Sequence, residues 1–140
     1  MIATASILIN ASPEKVWDAL VNPDKVKQYM FGATLISNWR EGGSITWKGE
    51  WEGKPYEDTG ILLNFDPETQ LQYDYYSPMS GPDTPENHHV ITTDLSREDG
   101  QTKVKVSQDN NASEEANAQA VKNWAMVLEG MKKVVETGKA

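Results

Sequence analysis

Apolar and polar residues follow two different periods along the chain. From Ser113 to Thr137 the apolar residues recur in steps of three and four, which places them on one stripe of an α-helix. Ser113 can cap the start of this helix and Gly138 can end it. The stripe consists of Ala120, Val121, Trp124, Val127, Leu128, Met131, Val134 and Val135. The pattern predicts one long C-terminal helix, with Trp124 at the centre of the core.

The middle of the chain alternates with the two-residue period that is typical of β-strands. Including the start of the chain, the predicted strands are Ile2–Asn10, Ala33–Asn38, Ser44–Trp51, Tyr56–Phe65, Gln70–Tyr76, His88–Ser96 and Thr102–Gln108. Alternation within Tyr56–Phe65 places Ile61, Leu63 and Phe65 on one face. Short turns separate most strands, so neighbours should pair antiparallel. The exception is Ser77–Asn87, where three prolines predict a long loop beside the entrance of any cavity.

Two short helices are predicted between the first two strands. Ser12-Pro13-Glu14 and Asn22-Pro23-Asp24 each combine a capping residue, a proline at the first helical position and an acid in the first turn. They predict helices over Pro13–Val21 and Pro23–Gln28. The order of elements therefore predicts one α+β domain spanning residues 1–140, in which a curved antiparallel sheet wraps around the long helix.

Composition narrows the classes of partner. The net charge of −8 argues against binding to nucleic acid, because phosphates would be repelled. The chain has no cysteine, so it has no disulfide and no thiolate nucleophile. No apolar run approaches the ~20 residues of a membrane span, and the polar N-terminus does not look like a signal peptide. We therefore expect a cytoplasmic protein that does not insert into membranes.

Several short motifs together resemble those of a known superfamily. They are the stretch from Ala11 to Leu20, Asn22-Pro23, Tyr29, Gly42-Gly43, Trp51-Glu52-Gly53, and Asn123-Trp124 with Leu128 and Met131. Over essentially its whole length the chain resembles the birch-pollen-allergen/START-like (SRPBCC) superfamily. More narrowly, it resembles the family related to the C-terminal domain of the activator of the 90-kDa heat-shock chaperone ATPase.

This resemblance implies the helix-grip fold, in which a sheet of about seven strands grips the C-terminal helix over an internal cavity. Such cavities commonly hold lipids, polyketides or other hydrophobic molecules. Many relatives place a tryptophan where Tyr29 or Met30 stands here, which would alter one end of the cavity. The motifs are capping and packing signals, so they are specific for the fold and weak for function.

The predicted ligand-binding residues are mainly aromatic side chains that fit either an ordinary core or the wall of a pocket. His88 and His89 point to opposite faces of a strand, so they cannot hold one metal ion together. His89 shares its face with apolar residues and is the better candidate for the cavity. The predicted set is Trp39, Trp47, Trp51, Tyr73, Tyr75, His89, Trp124, Leu128 and Met131.

The sequence supports catalytic residues less well than it supports ligand-binding residues. The carboxylates Glu50, Glu52, Glu57 and Asp58 cluster around one hairpin and could do acid–base work, but a solvated face is the favoured interpretation. No phosphate-binding loop, dinucleotide fingerprint or nucleophile motif is present in the sequence. We assign no catalytic residue and expect no metal and no cofactor.

Three functions fit the sequence. The favoured one is a carrier or sensor that binds a hydrophobic, lipid-like or polyketide-like small molecule between the sheet and the C-terminal helix. The alternative is a protein-interaction module resembling the chaperone ATPase activator, with a protein as its partner. The third is a cyclase- or hydrolase-like enzyme on the same fold.

Overall fold

The computed structural model describes residues 1–138, with the exception of the Trp51 side chain. The chain opens with β1 (Ala3–Ile9), followed by α1 (Pro13–Val21) and α2 (Pro23–Tyr29). Six strands follow: β2 (Thr34–Ser37), β3 (Ser44–Trp51), β4 (Lys54–Asp66), β5 (Gln70–Tyr76), β6 (His88–Glu98) and β7 (Gln101–Gln108). The last element is α3 (Glu114–Thr137). The loop between β5 and β6 contains two single-turn 3₁₀ helices, at Pro78–Ser80 and Pro85–Asn87.

The strands form one antiparallel sheet of seven, in the order β1-β7-β6-β5-β4-β3-β2. Consecutive strands are hairpin neighbours from β2 to β7, and β1 closes the other edge by pairing with β7. This confirms the predicted α+β helix-grip fold, in which a curved antiparallel sheet of seven strands surrounds a long C-terminal helix, with two short helices after the first strand.

The predicted capping residues begin and end the helices. The side chain of Ser12 accepts from the Lys15 amide at 3.4 Å, and that of Ser113 accepts from the Ala116 amide at 3.1 Å. Gly138 ends α3 with a left-handed φ of 77°, which costs glycine little because it has no Cβ. The second short helix ends at Tyr29, one residue beyond its predicted end.

The C-terminal half of α3 forms the packed part of the core. Val127, Leu128, Met131 and Val134 are buried in the same cluster as inward residues of the sheet and of α1 and α2. A Cβ added at Gly130 would lie 3.0 Å from the Cβ of Tyr29, so the absence of a side chain lets α2 and α3 approach closely. This half of α3 is therefore fixed firmly against the rest of the fold.

Two predictions about apolar residues were wrong. Phe65 packs on the core, but Ile61 and Leu63 are 43% and 42% exposed while Leu62 is fully buried. A β-bulge between Leu62 and Asn64 shifts the register of β4 and reverses which residues point inward. Trp124 is only half-buried and packs at the edge of the core, because the space beside it is open.

Candidate functional site

A cavity of about 540 Å³ lies between the inner face of the sheet and the N-terminal half of α3. Strands β3 to β6 contribute Trp47, Tyr56, Asp58, Tyr73, Tyr75, His89 and Ile91 to its wall. The segment before α3 and the helix itself contribute Ala112, Ala116, Gln119, Ala120, Asn123, Trp124 and Val127. Three of these seven residues are alanines, whose short side chains leave space between the helix and the sheet. The cavity therefore begins where the large apolar residues of the α3 stripe end.

Aromatic rings in mutual contact form the sheet side of the cavity. The ring centroid of Trp47 lies 4.9 Å from that of Tyr73 and 5.4 Å from that of Tyr75. Tyr56 occupies the place of a missing side chain, because a Cβ at Gly49 would lie 2.8 Å from its hydroxyl oxygen. These contacts hold the rings against one another and give the wall a fixed shape.

A buried carboxylate interrupts this apolar wall. Asp58 is 9% exposed, and its Oδ2 accepts a very short hydrogen bond from the Tyr75 hydroxyl. Its Oδ1 is buried without a hydrogen-bond partner among the described residues. Burial, and then the hydrogen bond to Asp58, raise the pKa of Tyr75 above its ordinary value. Tyr75 therefore keeps its proton and acts as a donor to the carboxylate.

The two histidines lie on opposite faces of β6, as the sequence predicts. His89 lines the cavity, and its Nδ1 lies 2.8 Å from the carbonyl oxygen of Asp109, which orients the ring. His88 lies on the outer face between two carboxylates, with Nδ1 2.9 Å from Asp74 Oδ2 and Nε2 in a very short contact with Asp83. The hydrogen bonds to Asp83 and Asp74 raise the pKa of His88.

A polar network borders the cavity where β7 leads into α3. The indole N–H of Trp124 donates to Gln108 Oε1 at 2.9 Å, and Gln108 Nε2 donates to Asn111 Oδ1 at 2.8 Å. Asn111, which is buried, in turn donates to Asn117 Oδ1 at 2.8 Å. These bonds explain how Trp124 holds its position although one side of the ring faces open space.

The wall of the cavity is poor in positive charge. Its residues with formal charge are Asp58 and Glu86, and no lysine or arginine is among the described residues that line it. Glu86 and Asn87 belong to the predicted long loop, which therefore borders the cavity as expected.

Within residues 1–138, no group of three or more His, Asp or Glu side chains is placed to hold a metal ion. The described helices include none that is long and apolar enough to cross a membrane.

Five of the nine residues that we predicted to bind ligand line the cavity: Trp47, Tyr73, Tyr75, His89 and Trp124. Trp39, Leu128 and Met131 surround a far smaller void of about 30 Å³ deeper in the core, so we leave them out of the candidate site. The side chain of Trp51 lies outside the described residues.

Sequence reasoning missed Asp58, which we had grouped with solvated acids, and Tyr56. Both belong to the inward face of β4, and Asp58 lies directly opposite Trp47 on β3.

Comparison with known proteins gives a consistent result. The model of the family described as "Activator of Hsp90 ATPase homolog 1-like protein" matches residues 10–136. The solution structure of protein ChR145 from Cytophaga hutchinsonii is 48% identical, with 99% of this chain and 95% of that chain covered and a TM-score of 0.86.

Two more distant structures share the fold. The solution structure of the Aha1 dimer from Colwellia psychrerythraea is 22% identical, with 100% of this chain and 99% of that chain covered and a TM-score of 0.75. The crystal structure of Ara h 8.0201 is 15% identical, with 96% and 97% covered and a TM-score of 0.73. A comparison with curated proteins found no match.

Proposed function

We propose a function from the premise that the chain belongs to the activator of Hsp90 ATPase homolog 1-like family of the birch-pollen-allergen/START-like superfamily. In this proposal the protein binds an apolar small molecule between its sheet and α3. The observation that supports this most directly is the cavity of about 540 Å³, a volume typical of small-molecule sites. Its wall combines aromatic rings with a few polar groups, which is the usual composition of such sites.

Close packing elsewhere in the core makes this cavity unusual. Protein interiors contain few voids larger than a water molecule, because unfilled space forfeits dispersion contacts. The C-terminal half of α3 obeys this rule, with Leu128 and Met131 almost completely buried. In the N-terminal half, Ala116 and Ala120 line the cavity, and space remains beside them. We propose that a ligand supplies the contacts that these alanines do not.

We propose binding without turnover. Hydrolysis or cyclisation needs a nucleophile or a base with an orienting partner close to the substrate. His89 is the candidate base in the cavity, and the alternative of a cyclase- or hydrolase-like enzyme would depend on it. That alternative is supported if a substrate is turned over by the wild-type protein and not by folded His89→Ala.

A second candidate function is a protein-interaction module, which the name of the matched family supports. In that case the partner would be a protein, and the cavity would not need to hold a ligand. Native mass spectrometry of the purified protein separates the two proposals. A bound small molecule of constant mass supports a carrier or sensor, whereas an empty chain that takes up no apolar ligand favours the interaction module.

The binding proposal is tested by filling the cavity. Ala120 is 7% exposed and lines the cavity, so Ala120→Phe places a ring in the proposed ligand volume. Ala125 is exposed on the same helix, and Ala125→Phe adds the same ring toward solvent. We expect the neutral dye Nile red to bind the wild-type protein saturably, with affinity reduced at least about 10-fold by Ala120→Phe and unchanged by Ala125→Phe.

Two outcomes would count against binding in this cavity. The first is a wild-type protein whose fluorescence signal does not saturate or is not displaced by an apolar competitor. The second is an equal loss of affinity in both variants, which would place the dye elsewhere. Circular dichroism and thermal unfolding establish that each variant is folded before its affinity is interpreted.

A further inference from the structure

The buried carboxylate of Asp58 has fewer partners than its burial requires. One oxygen accepts from Tyr75, and the other is buried with no hydrogen-bond partner among the described residues. A buried carboxylate is tolerated when it is paired with a cation or satisfied by several donors. An asparagine could accept the same hydrogen bond from Tyr75 without a charge. The hydrogen bond to Tyr75 therefore does not require the negative charge of this carboxylate.

The surroundings of Asp58 favour a cation over an anion. No lysine or arginine is found among the described residues of the cavity wall, and the other formally charged residue there is the acid Glu86. The whole chain carries a net charge of −8. An anionic ligand such as a fatty acid would therefore be repelled from this cavity, whereas a cation would be attracted.

The aromatic wall adds to this preference. Trp47 lies opposite Asp58 on the neighbouring strand, and its ring packs against those of Tyr73 and Tyr75. The faces of tryptophan and tyrosine rings attract cations, and this attraction is strongest where water is excluded. A carboxylate beside several aromatic rings is the arrangement that recognises an ammonium group attached to an apolar body.

We infer that the ligand is an apolar amine, whose protonated nitrogen lies beside the Asp58–Tyr75 pair and whose hydrocarbon part fills the cavity under Ala116 and Ala120. This inference rests on the proposed function and specifies its ligand class. Asp58 supplies the negative charge, and the aromatic rings exclude water from the ammonium group. The ligand in turn supplies the positive charge that the buried carboxylate lacks.

The test compares three molecules with the same chain and different head groups. Decylamine, decanol and decanoate, each below its aggregation limit, are titrated against the protein loaded with the neutral dye Nile red. We expect decylamine to bind at least about 10-fold more tightly than decanol, and decanoate to bind most weakly. In Asp58→Asn the advantage of decylamine over decanol should disappear, while decanol itself still binds.

Glu57→Gln is the matched control. Glu57 is the neighbour of Asp58 on β4, but its side chain is 52% exposed and pairs with Lys48 at 3.2 Å on the outer face. The two substitutions change net charge equally, so the control should keep the amine preference. If Glu57→Gln loses it as completely as Asp58→Asn, general charge and not the buried carboxylate sets the selectivity, and the inference is overturned.

The outcomes also separate this inference from the proposed function. If decanol and decylamine both bind with equal affinity to the wild-type protein, or decanoate binds as well as decylamine, the cavity binds apolar molecules and the amine class is wrong. If none of the three displaces the dye, the proposed function fails as well.

Stability provides an independent readout. The inference predicts that Asp58→Asn keeps or raises the melting temperature of the ligand-free protein, because a buried charge is removed. A purely structural role predicts a lower melting temperature and an equal loss of affinity for all three probes. If Asp58→Asn does not fold, Asp58→Ser replaces it, which also removes the negative charge. A retained advantage of decylamine over decanol in that folded variant overturns the inference.

Discussion

Two substitutions on α3, Leu128→Ala and Trp124→Ala, should have very different effects on stability although both remove a large apolar side chain. Leu128 is 1% exposed and is surrounded by core residues of the sheet and of α2. Trp124 lies one turn earlier and is half-buried, with the cavity on one side of its ring. The comparison therefore tests whether α3 is packed along its whole length or only along its C-terminal half.

The expected losses in the free energy of unfolding follow from the cavity that each truncation creates or enlarges. Leu128→Ala removes buried carbon atoms and leaves a new cavity in a packed region, which should cost about 3–5 kcal/mol. Trp124→Ala enlarges a cavity that already exists and breaks one hydrogen bond, from its indole N–H to Gln108. The lost contacts are those of the buried side of the ring, so we expect about 1–2 kcal/mol. A tryptophan at the centre of the core would instead cost about 3–5 kcal/mol.

Urea unfolding of the three proteins, followed by far-UV circular dichroism, measures these differences. Met126, which is 55% exposed on the same helix, provides the control, because Met126→Ala should change the free energy of unfolding by less than about 0.5 kcal/mol. The reasoning is refuted if Trp124→Ala is as costly as Leu128→Ala. That result would mean that the space beside Trp124 is closed in solution and that the cavity does not exist in the ligand-free protein.

Two further predictions concern pH. Hydrogen bonds from the His88 ring to Asp83 and Asp74 raise its pKa above 6.5, so the stabilisation is complete below about pH 6.5 and is lost as pH rises through the raised value. Hydrogen exchange in residues 77–87, corrected for its intrinsic pH dependence, should quicken across that window in the wild-type protein but not in His88→Phe; identical profiles would contradict this. Glu136 accepts from a backbone N–H that follows β1 and from a lysine, which lowers its pKa below 4.5, so its contribution is present above about pH 4.5 and lost as pH falls through the lowered value. Glu136→Gln should therefore cost about 0.5–1 kcal/mol at pH 7 in urea unfolding, and the difference should shrink under acid; a difference that is constant with pH would rule this out.

Local signals in the sequence were sufficient to predict the helices, the strands and the fold. Ser12-Pro13-Glu14 predicts the start of α1 because the cap, the proline and the acid all act within one turn. The run Ile61-Leu62-Leu63 shows where such signals fail. Three consecutive apolar residues fit either face of a strand. Counted from the inward Asp58, alternation places Leu62 on the buried face, and the bulge that follows Leu62 then brings Phe65 to the same face, which the sequence pattern did not indicate.

The position of Asp58 was predictable in part, and the reason lies in the turn between β3 and β4. Glu52 and Gly53 both have positive φ, 52° and 79°, which is typical of a two-residue hairpin turn. Such a turn pairs Trp51 with Lys54 and therefore Trp47 with Asp58, and residues directly opposite in a sheet share a face. A loop longer by two residues would keep the same parity, but a loop longer by one would turn Asp58 outward, so the inward direction of Asp58 depends on the two-residue turn. The abundance of acids in the chain instead favours a solvated side chain at this position. The sequence could not indicate that the second oxygen of this carboxylate would have no partner among the described residues, because that depends on how the side chains around the cavity pack. The feature that argues most specifically for a ligand thus arises from tertiary packing, at a residue whose local pattern resembles that of any charged position in a strand.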